Sequence, residues 1–131
     1  MIYRLLPYAE IKKALPLIIA FCNETSADLE EISSIIGRLE REETVIFIAE
    51  KGEPCGIVGG YMHGNVGIAD FLYVVPEHRG RLVAGRLHAA IRRWVREYGG
   101  KKIAIFCDDT RLRMYLKIGY RHKKHIVEQE V

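Results

Sequence analysis

The stretch LYVVPEHRGRLVAGRL, Leu72–Leu87, decides the fold of this chain. Its opening residues are apolar, aromatic and β-branched, as in a strand. Pro76 stops the strand, a basic turn containing Gly80 follows, and the first turn of a helix comes next. That order predicts several unpaired backbone N–H groups at a helix N-terminus, with Arg79, Arg81 and Arg86 crowded around them. Helix dipole and free N–H groups both favour negative charge, so the place is suited to a phosphate or pyrophosphate.

Outward from this stretch, the helix is expected to run from about Gly80 to Tyr98. Val83, Leu87, Ala90, Ile91, Trp94, Val95 and Tyr98 fall at helical spacing, and Gly99-Gly100 ends it. Arg92, Arg93 and Arg96 form its solvated face. Val66–Val75 reads as the strand before the helix and Lys101–Phe106 as a short buried strand after it. A strand, a long helix and another strand make a crossover unit, so these two strands should be parallel. Upstream, Thr44–Glu50 and Cys55–Met62 flank the KGEP turn and predict a hairpin. Met1–Leu6 reads as a further strand.

Two helices are expected in the first third of the chain. One reaches about Asn23, with Ile11, Leu15, Ile18, Ile19 and Cys22 apolar; Pro16 either sits near its start or kinks it. The other spans Asp28 to about Glu40 with Leu29, Ile32, Ile35, Ile36 and Leu39 on one face, capped by Ser26 or Asp28. A last helix, capped by Asp109 or Thr110, runs to Lys117, Gly119 stops it, and Tyr120–Glu130 reads as strand. The fold class is α/β: a mixed, mostly antiparallel sheet with helices on both faces.

At 131 residues the chain is expected to be one domain, 1–131, able to bury a core without staples. No stretch approaches the roughly 18 apolar residues of a membrane span. The start, MIYRLLPYAEIKK, lacks a signal-peptide core, and Cys22, Cys55 and Cys107 fit no zinc or disulfide pattern. A cytoplasmic location is expected. His78, His88, His122 and His125 form no metal set by spacing, so none is expected. The net charge of +3 is unevenly spread: Arg79–Lys124 holds fourteen Lys/Arg against Glu97, Asp108 and Asp109. A basic half suits nucleic acid, an acidic membrane surface or a polyanionic cofactor. Nucleic acid ranks low, because the only tryptophan, Trp94, lies on an apolar stripe.

The order of elements, the segment VxPEHRGRxxA ending at Ala84, and the later RMYLKIGY, Arg113–Tyr120, resemble the GNAT acyltransferase superfamily over nearly the whole chain. In that family the pattern Arg/Gln-x-x-Gly-x-Gly/Ala wraps the pyrophosphate of acetyl-CoA. Laid here without gaps, it takes Arg79 first, Leu82 at the central glycine and Ala84 last. The resemblance implies that Arg79, Gly80, Arg81, Leu82, Val83, Ala84 and Gly85 cradle the coenzyme. It also implies a splayed pair of parallel strands, with backbone groups of Leu72 and Val74 against the pantetheine arm. Leu82 departs from the pattern. Glycine there allows close approach and any backbone angle, and leucine narrows both.

The resemblance further implies that Tyr115 gives a proton or hydrogen bond to the departing coenzyme thiolate; a phenol with a pKa of about 10 is protonated at neutral pH. Amine acetylation also needs a base. Asp70 is the candidate, in phase with Leu72 and Val74 so that all three side chains should share one face. Water is an alternative base, with His63 and Glu24 weaker candidates. The implied function is transfer of an acyl group, most readily acetyl, from acyl-CoA to a primary amine by direct attack in a ternary complex. The alternative is a non-catalytic acyl-CoA-binding or interaction module of the same fold, for which Leu82 is the supporting feature. The acceptor is a small-molecule or peptide amine, no membrane partner is expected, and a homodimer is left open.

Overall fold

The computed structural model describes residues 1–105, 107, 109–117 and 119–121. The expected strand end at Phe106, most of the strand expected over Tyr120–Glu130, and both His122 and His125 lie outside the described residues.

Five strands form a single sheet in the order of the chain: β1 (Ile2–Leu5), β2 (Val45–Lys51), β3 (Glu53–His63), β4 (Val66–Val74) and β5 (Lys102–Ile105). The first four are antiparallel neighbours, while β5 lies parallel to β4. Helix α3 (Val83–Glu97) makes the crossover between them. Helices α1 (Leu15–Glu24) and α2 (Leu29–Glu40) cover one face of the sheet, where Leu17, Ile18, Ile35 and Leu39 meet Ile46, Ile48, Ile57 and Phe71. On the other face, Val83, Leu87 and Ile91 of α3 and Tyr115 of α4 (Asp109–Lys117) meet Val58, Leu72 and Val74. No described helix is long and apolar enough to cross a membrane.

Local chemistry resolves the alternatives left by the sequence. A 3₁₀ segment, Tyr8–Lys13, precedes α1, and Pro16 sits in the first turn of α1 rather than at a kink. There its missing N–H costs nothing. The later start rotates the inward face to Ala14, Leu17 and Ile18, leaving Leu15 and Ile19 exposed. Helix α2 is capped by Asp28, whose Oδ1 accepts from the Glu31 N–H at 2.8 Å; Ser26 instead lies in the left-handed region. The expected five-residue stripe of α2 is narrower than its spacing suggests: Ile35 and Leu39 are buried, whereas Leu29 and Ile36 face outward.

Two features of the sheet place the functional residues. Gly59 pairs with Phe71 but Gly60 pairs with Ala69, so Asp70 is an extra residue, a bulge on β4. Gly59 has no room for a side chain, because a Cβ there would collide with the Phe71 ring. Among the described residues, pairing of β4 with β5 covers Val66–Ala69 and Lys102–Ile105, next to the bulge.

Helix α3 starts at Val83, three residues later than expected, because Gly80 (φ 76°) and Leu82 (φ 65°) both hold left-handed backbone. Leucine therefore adopts a conformation that glycine enters freely, with its side chain 74% exposed. For a residue with a Cβ this costs about 1–2 kcal/mol, against which glycine loses about 0.5–1 kcal/mol of chain entropy. Leu82→Gly should therefore stabilise the fold by about 1 kcal/mol or less. Urea denaturation checks this as a higher midpoint at unchanged slope. A lower midpoint would show that leucine is not strained there.

Candidate active site

The edge of β4 that faces away from β3 forms the floor of the site. The Val75 N–H bonds to the Cys55 carbonyl on β3 at 2.9 Å. Antiparallel strands alternate the direction of their peptide groups, so those of Val74 and Leu72 point away from β3, to the side where β5 pairs with Val66–Ala69. The Val74 carbonyl indeed accepts from Arg79 Nε at 2.9 Å rather than from β3. The side chains of Leu72 and Val74 are buried against α3, so only their backbone faces the opening.

The bulge overturns the expected phase of Asp70. An extra residue shifts the alternation, so Asp70 turns toward α2 while Leu72 and Val74 turn toward α3. On the α2 side Asp70 meets Arg38 in a two-pronged pair: Nε to Oδ2 at 2.9 Å and Nη2 to Oδ1 at 2.8 Å. The Arg38 guanidinium also lies 4.6 Å from the Tyr61 ring centre. Burial pushes the Asp70 carboxyl above its ordinary value, against the hydrogen bonds and charge of Arg38, which pull it down. The sequence reading missed Arg38. Its signal was a basic residue in the last turn of α2, flanked by the inward Ile35 and Leu39.

At the start of α3, the Arg86 N–H is the donor to the Leu82 carbonyl, at 3.0 Å. The N–H groups of Val83, Ala84 and Gly85 therefore lie in the first turn with no carbonyl behind them in the helix. No side chain caps this terminus, Arg81 and Gly85 are exposed, and a Cβ on Gly85 would meet nothing within 4 Å. The expected crowding by three arginines is not what forms. Arg79 turns back along β4, over the Tyr73 ring at 5.4 Å, and Arg86 lies over Tyr3 at 6.0 Å. A carbonyl and a carboxylate together satisfy the Arg79 guanidinium better than neighbouring cations would. The carboxylate is Glu24, whose Oε2 accepts from Arg79 at 2.6 Å and whose Oε1 accepts from Arg111 at 2.7 Å.

Tyr115, at 2% exposure, comes from α4 to the same opening. A cleft of about 320 Å³ is lined by Phe21, Thr25, Glu31, Asp70, Phe71, Ile105, Cys107, Arg111 and Tyr115. Asp70 and Tyr115 thus stand on the walls of one cleft. His63 does not reach it: it ends β3 at the turn opposite Val66, the far end of β4. Behind Tyr115, the Tyr120 ring packs edge-on at 5.7 Å, and the Tyr120 hydroxyl shares a 2.8 Å hydrogen bond with His88 Nε2 of α3. Burial pushes the Tyr120 phenol up, while burial and the Arg92 charge hold His88 below its usual value. Both groups are therefore neutral near pH 7. Among the described residues, no three His, Cys, Asp or Glu side chains gather as metal ligands.

The same architecture occurs in known acetyltransferases. The aminoglycoside N-acetyltransferase AAC(6')-Iy, in complex with the bisubstrate analog CoA-S-monomethyl-acetylneamine, superposes with a TM-score of 0.77 at 16% identity, over 99% of this chain and 97% of that one. Glucosamine-6-phosphate N-acetyltransferase from Arabidopsis thaliana gives 0.72 at 14% identity, over 98% and 97%. An acetyltransferase of Trypanosoma brucei gives 0.71 at 19% identity, over 99% of both chains. At these identities the likeness is one of fold. The sequence itself matches the model of the acetyltransferase (GNAT) family over residues 12–120, and with that match, the parallel β4–β5 pair and the turn before α3, the chain belongs to the GNAT acetyltransferase family.

Proposed function

We propose that this protein transfers an acetyl group from acetyl-CoA to a primary amine by direct attack within a ternary complex. The observations that carry this reading are the peptide groups of β4 that turn away from β3, the left-handed turn at the start of α3, and a cleft that holds both Asp70 and Tyr115. An amide-rich pantetheine arm suits the outward peptide groups of Leu72 and Val74. Its pyrophosphate suits the N–H groups of Val83, Ala84 and Gly85, aided by Gly80 and the exposed Arg81. Leu82 supplies the backbone angle that the motif glycine would, so its departure from the family pattern favours no loss of this turn. The solved relatives include enzymes named for amino-sugar acceptors, which supports an amine acceptor here.

In this reading Asp70, held by Arg38, accepts the amine proton directly or through water. A carboxylate has about four acceptor positions, and the Arg38 fork takes two. Peptide groups at the β4 edge polarise the thioester carbonyl, and Tyr115 protonates the departing thiolate. Much of the rate comes from holding both reactants in one cleft.

Acetyl-CoA should raise the melting temperature, since a ligand at 100 times its dissociation constant stabilises by about 2.7 kcal/mol. No shift at millimolar acetyl-CoA would refute both transfer and coenzyme binding; a shift with no thiol release across a panel of amines would leave a non-catalytic module. Tyr115→Phe should keep acetyl-CoA affinity and lower turnover by about 10²–10⁴-fold. Turnover within about twofold of wild type would make Tyr115 a core residue and water the proton donor. Because burial raises the Asp70 pKa, activity should fall on the acid side as this carboxylate takes up a proton. Asp70→Asn, which keeps one acceptor oxygen for Arg38, should remove that ionisation and flatten the acid limb of the kcat/KM profile. An unchanged limb in the folded variant would rule out Asp70 as the base.

A further inference from the structure

Glu24 ends α1, where the helix dipole disfavours a carboxylate. Two guanidinium groups compensate. Its Oε2 takes Arg79 at 2.6 Å and its Oε1 takes Arg111 at 2.7 Å. Arg79 follows β4, whereas Arg111 lies on α4 and lines the cleft. One carboxylate therefore ties the turn after β4 to α4.

The same Arg79 places its Nε 2.9 Å from the Val74 carbonyl. That carbonyl faces away from β3, so the guanidinium stands where a ligand chain paired to this edge of β4 would lie. We propose that Glu24 is a positioning residue of the coenzyme cleft: by holding Arg79 against the Val74 carbonyl it keeps this one acceptor covered, and a pantetheine arm gains it when the Glu24–Arg79 pair opens. This inference rests on the acetyl-CoA reading. The pair is part-exposed, at 43% and 37%. Pairs of that exposure are weak, so the device tunes binding by about 2–5-fold rather than blocking it.

The test compares wild type with Glu24→Gln, titrated with CoA and, separately, with S-acetylpantetheine, which lacks the pyrophosphate. The variant should bind S-acetylpantetheine about 2–5-fold more tightly. A gain for CoA alone would mean that Glu24 acts by repelling the phosphates, and it would overturn the proposal. So would equal or weaker S-acetylpantetheine binding in a variant shown to be folded. If Glu24→Gln does not fold, the wild-type protein decides: the Arg79 Nε–H signal, assigned with Arg79→Lys, should move when S-acetylpantetheine is added. A signal that stays fixed while the ligand binds overturns the proposal. Failure of wild type to bind CoA at all would remove the acetyl-CoA reading and this proposal with it; failure of the variant comparison alone would leave that reading intact.

Discussion

Between Ala69 and Phe71, strand β4 slips by one residue against β3. The cause is a single extra residue. Asp70 opposes nothing on β3, and a bulge of this kind bends the strand and increases its local twist. Among the described residues the parallel pairing reaches Ala69–Ile105, directly before the bulge. Peptide groups beyond the bulge then face the opening, and Asp70 is aimed away from Leu72 and Val74. The bulge in turn requires Gly59, because Phe71 packs into the space that a Cβ on Gly59 would take. A backbone irregularity permitted by one glycine thus sets which residue stands on the wall of the cleft.

The Arg38–Asp70 pair holds α2 to that irregularity. Its side chains are only 17% and 12% exposed, so both ions have lost much of their hydration. Two hydrogen bonds between them offset that loss, and removing one partner from such a pair typically costs about 3–5 kcal/mol. Elsewhere α2 is lightly attached. Leu29 and Ile36 face outward, and Ile35 and Leu39 supply its buried contacts. The ion pair lies nearer its C-terminal end and fixes that end against β4.

The sequence was legible wherever periodicity and punctuation act locally. The hairpin, the crossover, the glycine stop after α3 and the parallel β5 follow from alternation, helical spacing and turn residues, and all are present. What was not legible depends on partners distant in the chain or on a change of period. Strict alternation puts Asp70 in phase with Leu72 and Val74, and the bulge breaks that phase. The available hint lay on the other strand, in the adjacent Gly59 and Gly60, since glycine inside a strand often marks a bulge. Arg79 could be read as part of a basic turn, but not as a partner of Glu24, which lies 55 residues earlier. Helix α3 was placed three residues early because leucine at 82 gives no sign of left-handed backbone.

Helix α3 connects the two halves of the proposed chemistry. Its first turn presents the N–H groups of Val83, Ala84 and Gly85, and Val83, Leu87 and Ile91 seat it beneath Leu72 and Val74. One turn further on from Ala84, His88 bonds to the Tyr120 hydroxyl, and Tyr120 presents its ring edge-on to Tyr115. Both His88 and Tyr120 remain neutral near pH 7, so this link is a hydrogen bond between uncharged groups that burial strengthens rather than penalises. A shift of α3 along its axis would move the turn at Leu82 and the support behind Tyr115 by the same amount. The distance between the turn proposed to hold the coenzyme and the tyrosine proposed as its proton donor is therefore carried by one helix packed on β4.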